Sequence, residues 1–82
     1  ATLTGLFSWS ESEFNTRLEG SPIRRIGYQR WLRNIAVALG NSRRTTEVLA
    51  VLEGKKEGAT PMVREHIEWA IARLNDHSAE SD

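Results

Sequence analysis

Helix start and stop signals recur along this chain at short intervals, and they leave little choice of fold. Ser10 precedes Glu13 by three residues, the capping-box spacing, and Trp9 and Phe14 stand at the N′ and N4 positions of a hydrophobic staple. A short helix is expected from about Glu11 to Glu19, stopped by Gly20. Ser21 and Pro22 then supply a cap and a first helical position for a brief turn over Ile23 to Ile26, which Gly27 interrupts. From Tyr28 the pattern strengthens. Tyr28, Trp31, Leu32, Ile35, Ala38 and Leu39 share one side of a 3.6-residue wheel, Arg30, Arg33 and Val37 share the other, and Gly40-Asn41 ends the helix.

A further helix opens near Thr45 or Thr46, carries the stripe Val48, Leu49, Val51 and Leu52, and ends around Gly54 to Lys56. A polar loop over Lys55 to Ala59 leads to Thr60-Pro61, a second cap-plus-proline opening. Val63, Ile67, Ala70, Ile71 and Leu74 stripe the last helix. No segment alternates as a strand does, so the expected class is all-α, with about four helices and a short turn. A shift of about 32 residues lays Trp31 on Val63, Asn34 on His66, Ile35 on Ile67, Val37 on Trp69, Ala38 on Ala70 and Leu39 on Ile71. That period suggests a HEAT-like helical repeat, a right-handed stack of antiparallel hairpins. One domain over residues 1–77 is expected, with a disordered tail at 78–82.

Function classes fall away quickly. At 82 residues the core is thin, with little room for a deep enclosed active site. The chain has no cysteine, which removes disulfides, zinc ribbons, cluster ligation and thiol nucleophiles and fits a reducing cytoplasm. No apolar run is long enough to span a bilayer and no secretory signal is present, so a soluble, cytoplasmic, non-secreted chain is expected. Phosphate-binding loops and paired metal-ligand motifs are absent. His66 beside Glu65 could be a base with an orienting carboxylate, but neighbouring helix residues point about 100° apart and no nucleophile accompanies them. No catalytic residue and no metal site is assigned, and this chain alone is not expected to be an enzyme.

Charge distribution is more informative. The 11 basic and 11 acidic residues cancel overall, yet between Gly20 and Thr46 the ionisable residues are Arg24, Arg25, Arg30, Arg33, Arg43 and Arg44, with no Asp, Glu or Lys. Arginine without lysine is what grips phosphate bidentately or stacks on bases, which makes these six the candidate nucleic-acid contacts. The same arginines could instead form a solvated face paired with Glu47, Glu53, Glu57 or Glu65. Asn34 and Asn41 fit backbone capping better than base contact. Trp69 shares with Met62, His66 and Arg73 the face opposite the last apolar stripe. Core packing is its ordinary role, and exposure would make Met62, His66 and Trp69 a candidate docking surface.

Three stretches together resemble a known family. Gly20-Ser21-Pro22-Ile23-Arg24-Arg25-Ile26-Gly27-Tyr28, then Trp31-Leu32-Arg33-Asn34-Ile35-Ala36-Val37-Ala38-Leu39-Gly40-Asn41, and Val63-Arg64-Glu65-His66-Ile67-Glu68-Trp69-Ala70 look like the C-terminal region of epoxyqueuosine reductase. The helix from Trp9 to Leu18 resembles the element after that family's iron-sulfur module. The resemblance implies a parent oxidoreductase that uses a cobalamin and two [4Fe-4S] clusters to reduce epoxyqueuosine to queuosine in a tRNA anticodon. Those cofactors belong to parts of the family that precede this region. It further implies that this chain is a HEAT-like module excised from the C-terminus of a longer chain and partnered by N-terminal catalytic domains. Such a module would be monomeric and would hold the tRNA anticodon stem-loop on Arg24, Arg25, Arg30 and Arg33, with Arg43 and Arg44 at the weakest part of the match. The alternative is a HEAT-type protein-interaction domain without an RNA role.

Overall fold

The expected N-terminal caps at Ser10, Ser21, Thr45 and Thr60 all form, and they set where the helical elements begin. The computed structural model describes residues 2–80, with side chains through residue 76. Its elements are α1 (Leu3–Phe7), α2 (Glu11–Arg17), a 3₁₀ turn (Pro22–Ile26), α3 (Tyr28–Gly40), α4 (Thr46–Lys56) and α5 (Pro61–Glu80). No strand occurs among the described residues, as an all-α chain requires. At α2 the Glu13 N–H donates to Ser10 Oγ at 3.1 Å and the Ser10 N–H donates back to Glu13 Oε1 at 3.1 Å, a complete capping box. Thr45 caps α4 through the Val48 N–H, and Thr60 caps α5 through the Val63 N–H.

Three features differ from expectation, the first being that α2 stops at Arg17 with Leu18 as its C-cap, short of the expected Glu19 and Gly20. The extra helix α1 spans five residues around Gly5, too short to show a stripe, and packing rather than propensity holds it. Phe7 is fully buried, and Thr4 Oγ1 donates to Glu47 Oε2 at 3.3 Å. At the other end α5 continues through Glu80, past the tail boundary expected at Ser78; residues 81 and 82 of that tail lie outside the described residues.

The core joins Phe7 of α1, Leu32, Ile35, Ala36 and Leu39 of α3, Val48 and Leu52 of α4, and Val63, Ile67, Ala70 and Leu74 of α5. Helices α3 and α5 run parallel, side by side. Near their starts Thr60 Oγ1 donates to Gln29 Oε1 at 3.3 Å, and beyond the end of α3 Arg44 Nε donates to Asn75 Oδ1 at 3.2 Å. This offset is close to the internal shift seen in the sequence. Where the helices draw together, α3 presents Gly40 to Ala70. A Cβ on Gly40 would lie 3.0 Å from both the Cα and the Cβ of Ala70, so only glycine permits this approach. The expected stripe therefore needs one correction: Ala36, not Ala38, is fully buried, because α3 packs chiefly on α5, with α1 also against it.

A second, aromatic cluster fastens α2 to α3. Trp9 stacks on Trp31 with centroids 5.7 Å apart and 16° between planes, while Phe14 meets Trp31 at 5.4 Å and Tyr28 at 5.7 Å. The two staple residues thus both reach Trp31. Lys55, expected in a loose loop, instead lies in the last turn of α4 and donates from Nζ to the Trp9 carbonyl at 3.0 Å and to Tyr28 Oη at 2.9 Å. Tyr28 Oη in turn donates to the same Trp9 carbonyl.

Candidate nucleic-acid interface

The six arginines fall into three groups. Arg24 and Arg25 ride on the 3₁₀ turn, which Gly27 (φ 88°) joins to α3 in a left-handed conformation that a side chain would strain. They line an open groove of about 390 Å³ with Gly20, Ser21 and Pro22, and Arg24 Nε donates weakly to Asn15 Oδ1 of α2 at 3.5 Å. Arg30 and Arg33 stand on the outer side of α3, Arg30 exposed and Arg33 half-buried. Arg43 and Arg44 follow the α3 C-terminus. Arg44 leans on Asn75, some 240° around the α5 wheel from Trp69 at 100° per residue, and so turns away from the α3 pair. Since α3 is 13 residues long, the first and last groups are about 20 Å apart along its axis.

None of the six forms an ion pair among the described residues. The ion pairs present there are Arg17–Glu13 at 3.9 Å and Lys56–Glu68 at 3.6 Å. Glu47, the acid nearest in sequence, accepts from Thr4 instead. Arg33 commits Nε and Nη2 to Asn34 Oδ1, at 3.3 and 3.1 Å, a neutral acceptor that orients the guanidinium without cancelling its charge. Asn34 is thus exposed on the outer face rather than satisfying backbone, whereas Asn41 Nδ2 does donate to the Val37 carbonyl at 3.1 Å. Fixed positive charge without local compensation attracts a polyanion and is screened by salt.

Trp69 overturns the expectation of core packing. It is 42% exposed and Met62 is 36% exposed, while His66 is half-buried with Nδ1 on the Met62 carbonyl at 2.8 Å. The ring cannot turn inward because α3 closes on α5 at this level. A Cβ on Gly40 would stand 2.7 Å from Trp69 Cζ3, so one corner of the indole rests against the glycine while the ring stays largely exposed. The Arg73 guanidinium sits 5.7 Å from the Trp69 centroid, in cation–π range. Val37, one turn beyond Arg33 on α3, joins Glu65, His66 and Trp69 around a hollow of about 260 Å³. The arginine face of α3 and the Trp69 face of α5 therefore meet at Val37. In the sequence they stand as rival surfaces, because nothing in a helical wheel tells which faces of two helices adjoin.

Among the described residues no group of three or more His, Asp or Glu could hold a metal ion, and the chain has no cysteine. The residues present do not fit an iron-sulfur cluster, which needs thiolates, and the hollows described are open at the surface rather than shaped to enclose a cobalamin. Nor is any helix among these residues long and apolar enough to cross a membrane.

The sequence is similar to one segment of proteins named epoxyqueuosine reductase. That of Xanthomonas campestris pv. campestris is 56% identical over 73 residues, covering 89% of this chain and 21% of the relative. The Pseudomonas aeruginosa protein is 55% identical over 73 residues, with 89% and 20% covered, and the Escherichia coli protein 56% identical over 71 residues, with 87% and 18% covered. The chain thus spans about a fifth of the length of the curated relatives it matches. No family model matches it, and no solved structure does.

Proposed function

We propose, from its likeness to a segment of epoxyqueuosine reductases, that this chain is the C-terminal HEAT-like accessory module of such an enzyme. In this reading it grips the tRNA anticodon stem-loop through its arginines while N-terminal domains of the same polypeptide carry cobalamin, two [4Fe-4S] clusters and the chemistry. The parent is an oxidoreductase of the cytoplasm, and the module acts as a monomer and contributes no catalytic group. The observation that carries the reading is the run of six arginines with no ion pair among the described residues, on a chain of net charge zero. Were these arginines structural, carboxylates would be expected beside them. Sequence identity of 49–58% to the relatives supports a role tied to that enzyme. The parallel α3–α5 pairing supports a repeat unit in which α4 is the return helix.

The test is the salt dependence of RNA binding. Phosphate contacts release counterions, so replacing Arg30 and Arg33 together by Glu should weaken different RNAs alike and lower the salt slope by about one unit for each phosphate no longer neutralised. Binding of the chain alone should fall in the range of about 10⁻⁴ to 10⁻⁶ M typical of non-specific contacts at physiological salt. An unchanged slope in the double variant would refute the assignment. The competing reading, a HEAT-type protein-docking domain, draws on the exposed Trp69 and Met62; it requires a protein partner whose binding survives Arg30→Glu/Arg33→Glu.

A further inference from the structure

Beside the arginine face of α3 lies the hollow formed by Val37, Glu65, His66 and Trp69, and its chemistry differs from that of the arginines. The Trp69 indole abuts Gly40 through its Cζ3 corner at the α3–α5 seam, has the Arg73 guanidinium 5.7 Å from its ring centroid, and borders the hollow. His66 is fixed by its Nδ1 bond to the Met62 carbonyl. Two planar rings thus border one hollow. Its lining surface is mainly apolar, and of its lining residues only Val37 is aliphatic, so what it presents is chiefly the flat carbon of rings. Glu65 supplies a carboxylate there and no arginine lines the hollow. A phosphate would be repelled from the hollow while being attracted to Arg30 and Arg33 nearby, whereas a neutral planar ring with exocyclic N–H donors would be welcomed.

We infer that the hollow between Val37 and Trp69 is a stacking site for one unpaired nucleobase, whose flanking phosphates lie on the α3 arginines. The inference rests on the RNA-binding reading above and adds to it a preference for unpaired over duplex RNA. Aromatic platforms bordered by cationic grooves bind single-stranded segments in this way, because every base has a π-face and only an unpaired one can offer it. The carboxylate of Glu65 faces the edge of such a base and can accept from an amino group, as carboxylates do from cytosine N4.

The experiment compares two RNAs of equal phosphate number on the 82-residue chain at low salt: a hairpin with an unpaired seven-nucleotide loop, and a blunt duplex. The readouts are affinity and the NMR signal of the Trp69 indole N–H, identified by its loss in Trp69→Leu. The hairpin should bind more tightly and shift that signal, while the duplex leaves it in place. Trp69→Leu should cost the hairpin roughly 5- to 150-fold in affinity, leave duplex binding and the salt slope as they were, and be largely rescued by Trp69→Phe. Trp69 is exposed, and far-UV circular dichroism will confirm that each variant keeps the fold. Equal binding of hairpin and duplex by the parent, with Trp69→Leu changing neither, would refute the stacking site and leave the arginine reading standing. Absence of binding by either RNA would overturn the arginine reading and the stacking site with it. A Trp69 signal that moves with protein concentration alone would put a second copy of the chain on this face and also refute the proposal.

Discussion

Replacing Gly40 by alanine should destabilise this domain, although alanine is the better helix former. The gain from propensity is at most about 0.8–1.0 kcal/mol, and less at the last residue of a helix. Against it stands the new methyl, 2.7 Å from Trp69 Cζ3 and 3.0 Å from the Cα and Cβ of Ala70. The indole could swing away at modest cost, but Ala70 is fully buried and part of the α5 backbone, so the two helices must part by a few tenths of an ångström. Overpacking of this kind costs about 1–3 kcal/mol. The net loss should be about 1–2 kcal/mol, and at about 4–8 °C per kcal/mol for a domain of this size the midpoint of thermal unfolding should fall by roughly 4–15 °C. Gly54→Ala is the matched control. Gly54 lies within α4, and a methyl added there would meet nothing within 4 Å, so the same change should raise stability by about 0.5–1 kcal/mol. Thermal unfolding followed by far-UV circular dichroism reads both. If Gly40→Ala melted at or above the parent temperature, the close approach of α3 and α5, and with it the outward placement of Trp69, would be refuted.

Other perturbations test the remaining parts of the fold. Ser10→Ala removes the capping box of α2 and should cost about 1 kcal/mol in urea unfolding. Lys55→Met keeps the apolar stem but strands the Trp9 carbonyl and Tyr28 hydroxyl as a weaker pair, and should cost about 1–3 kcal/mol by the same assay. Among the three tryptophans, iodide should quench Trp69 fluorescence and barely touch Trp31, whose Nε1 is buried without a hydrogen-bond partner among the described residues; single-tryptophan variants separate the contributions.

What can be read from the sequence is local in its physics. Capping boxes, proline at a first helical position and glycine after a last turn act within four residues, so composition and spacing locate α2 through α5 to within a few residues. Helix α1 escapes them, since five residues around a glycine have neither stripe nor length, and Phe7 and Thr4 are held by partners more than twenty residues away. The burial of Ala36 rather than Ala38 depends on which neighbour α3 meets, and a wheel drawn for one helix contains no neighbour. The six arginines are visible as a count, but not their division into three groups. The meeting of Val37 and Trp69 around one hollow follows from the parallel register of α3 and α5, which the internal repeat hints at without stating which sides touch.

The ammonium of Lys55 has a consequence for how the molecule opens. Helix α2 has a single fully buried side chain, Phe14, and on packing alone it would fray from the rest as an independent unit. Lys55, at the end of α4, reaches the backbone just before α2 and the first residue of α3 at once. Detaching α2 together with Trp9 must therefore break a hydrogen bond from Lys55, 46 residues further along the chain than its acceptor. Amide protons of α2 should exchange with solvent at rates close to those of α4 and well below those expected of a terminal hairpin, and in Lys55→Met they should exchange first, decoupling α2 into its own foldon while α1 stays with the core through Phe7.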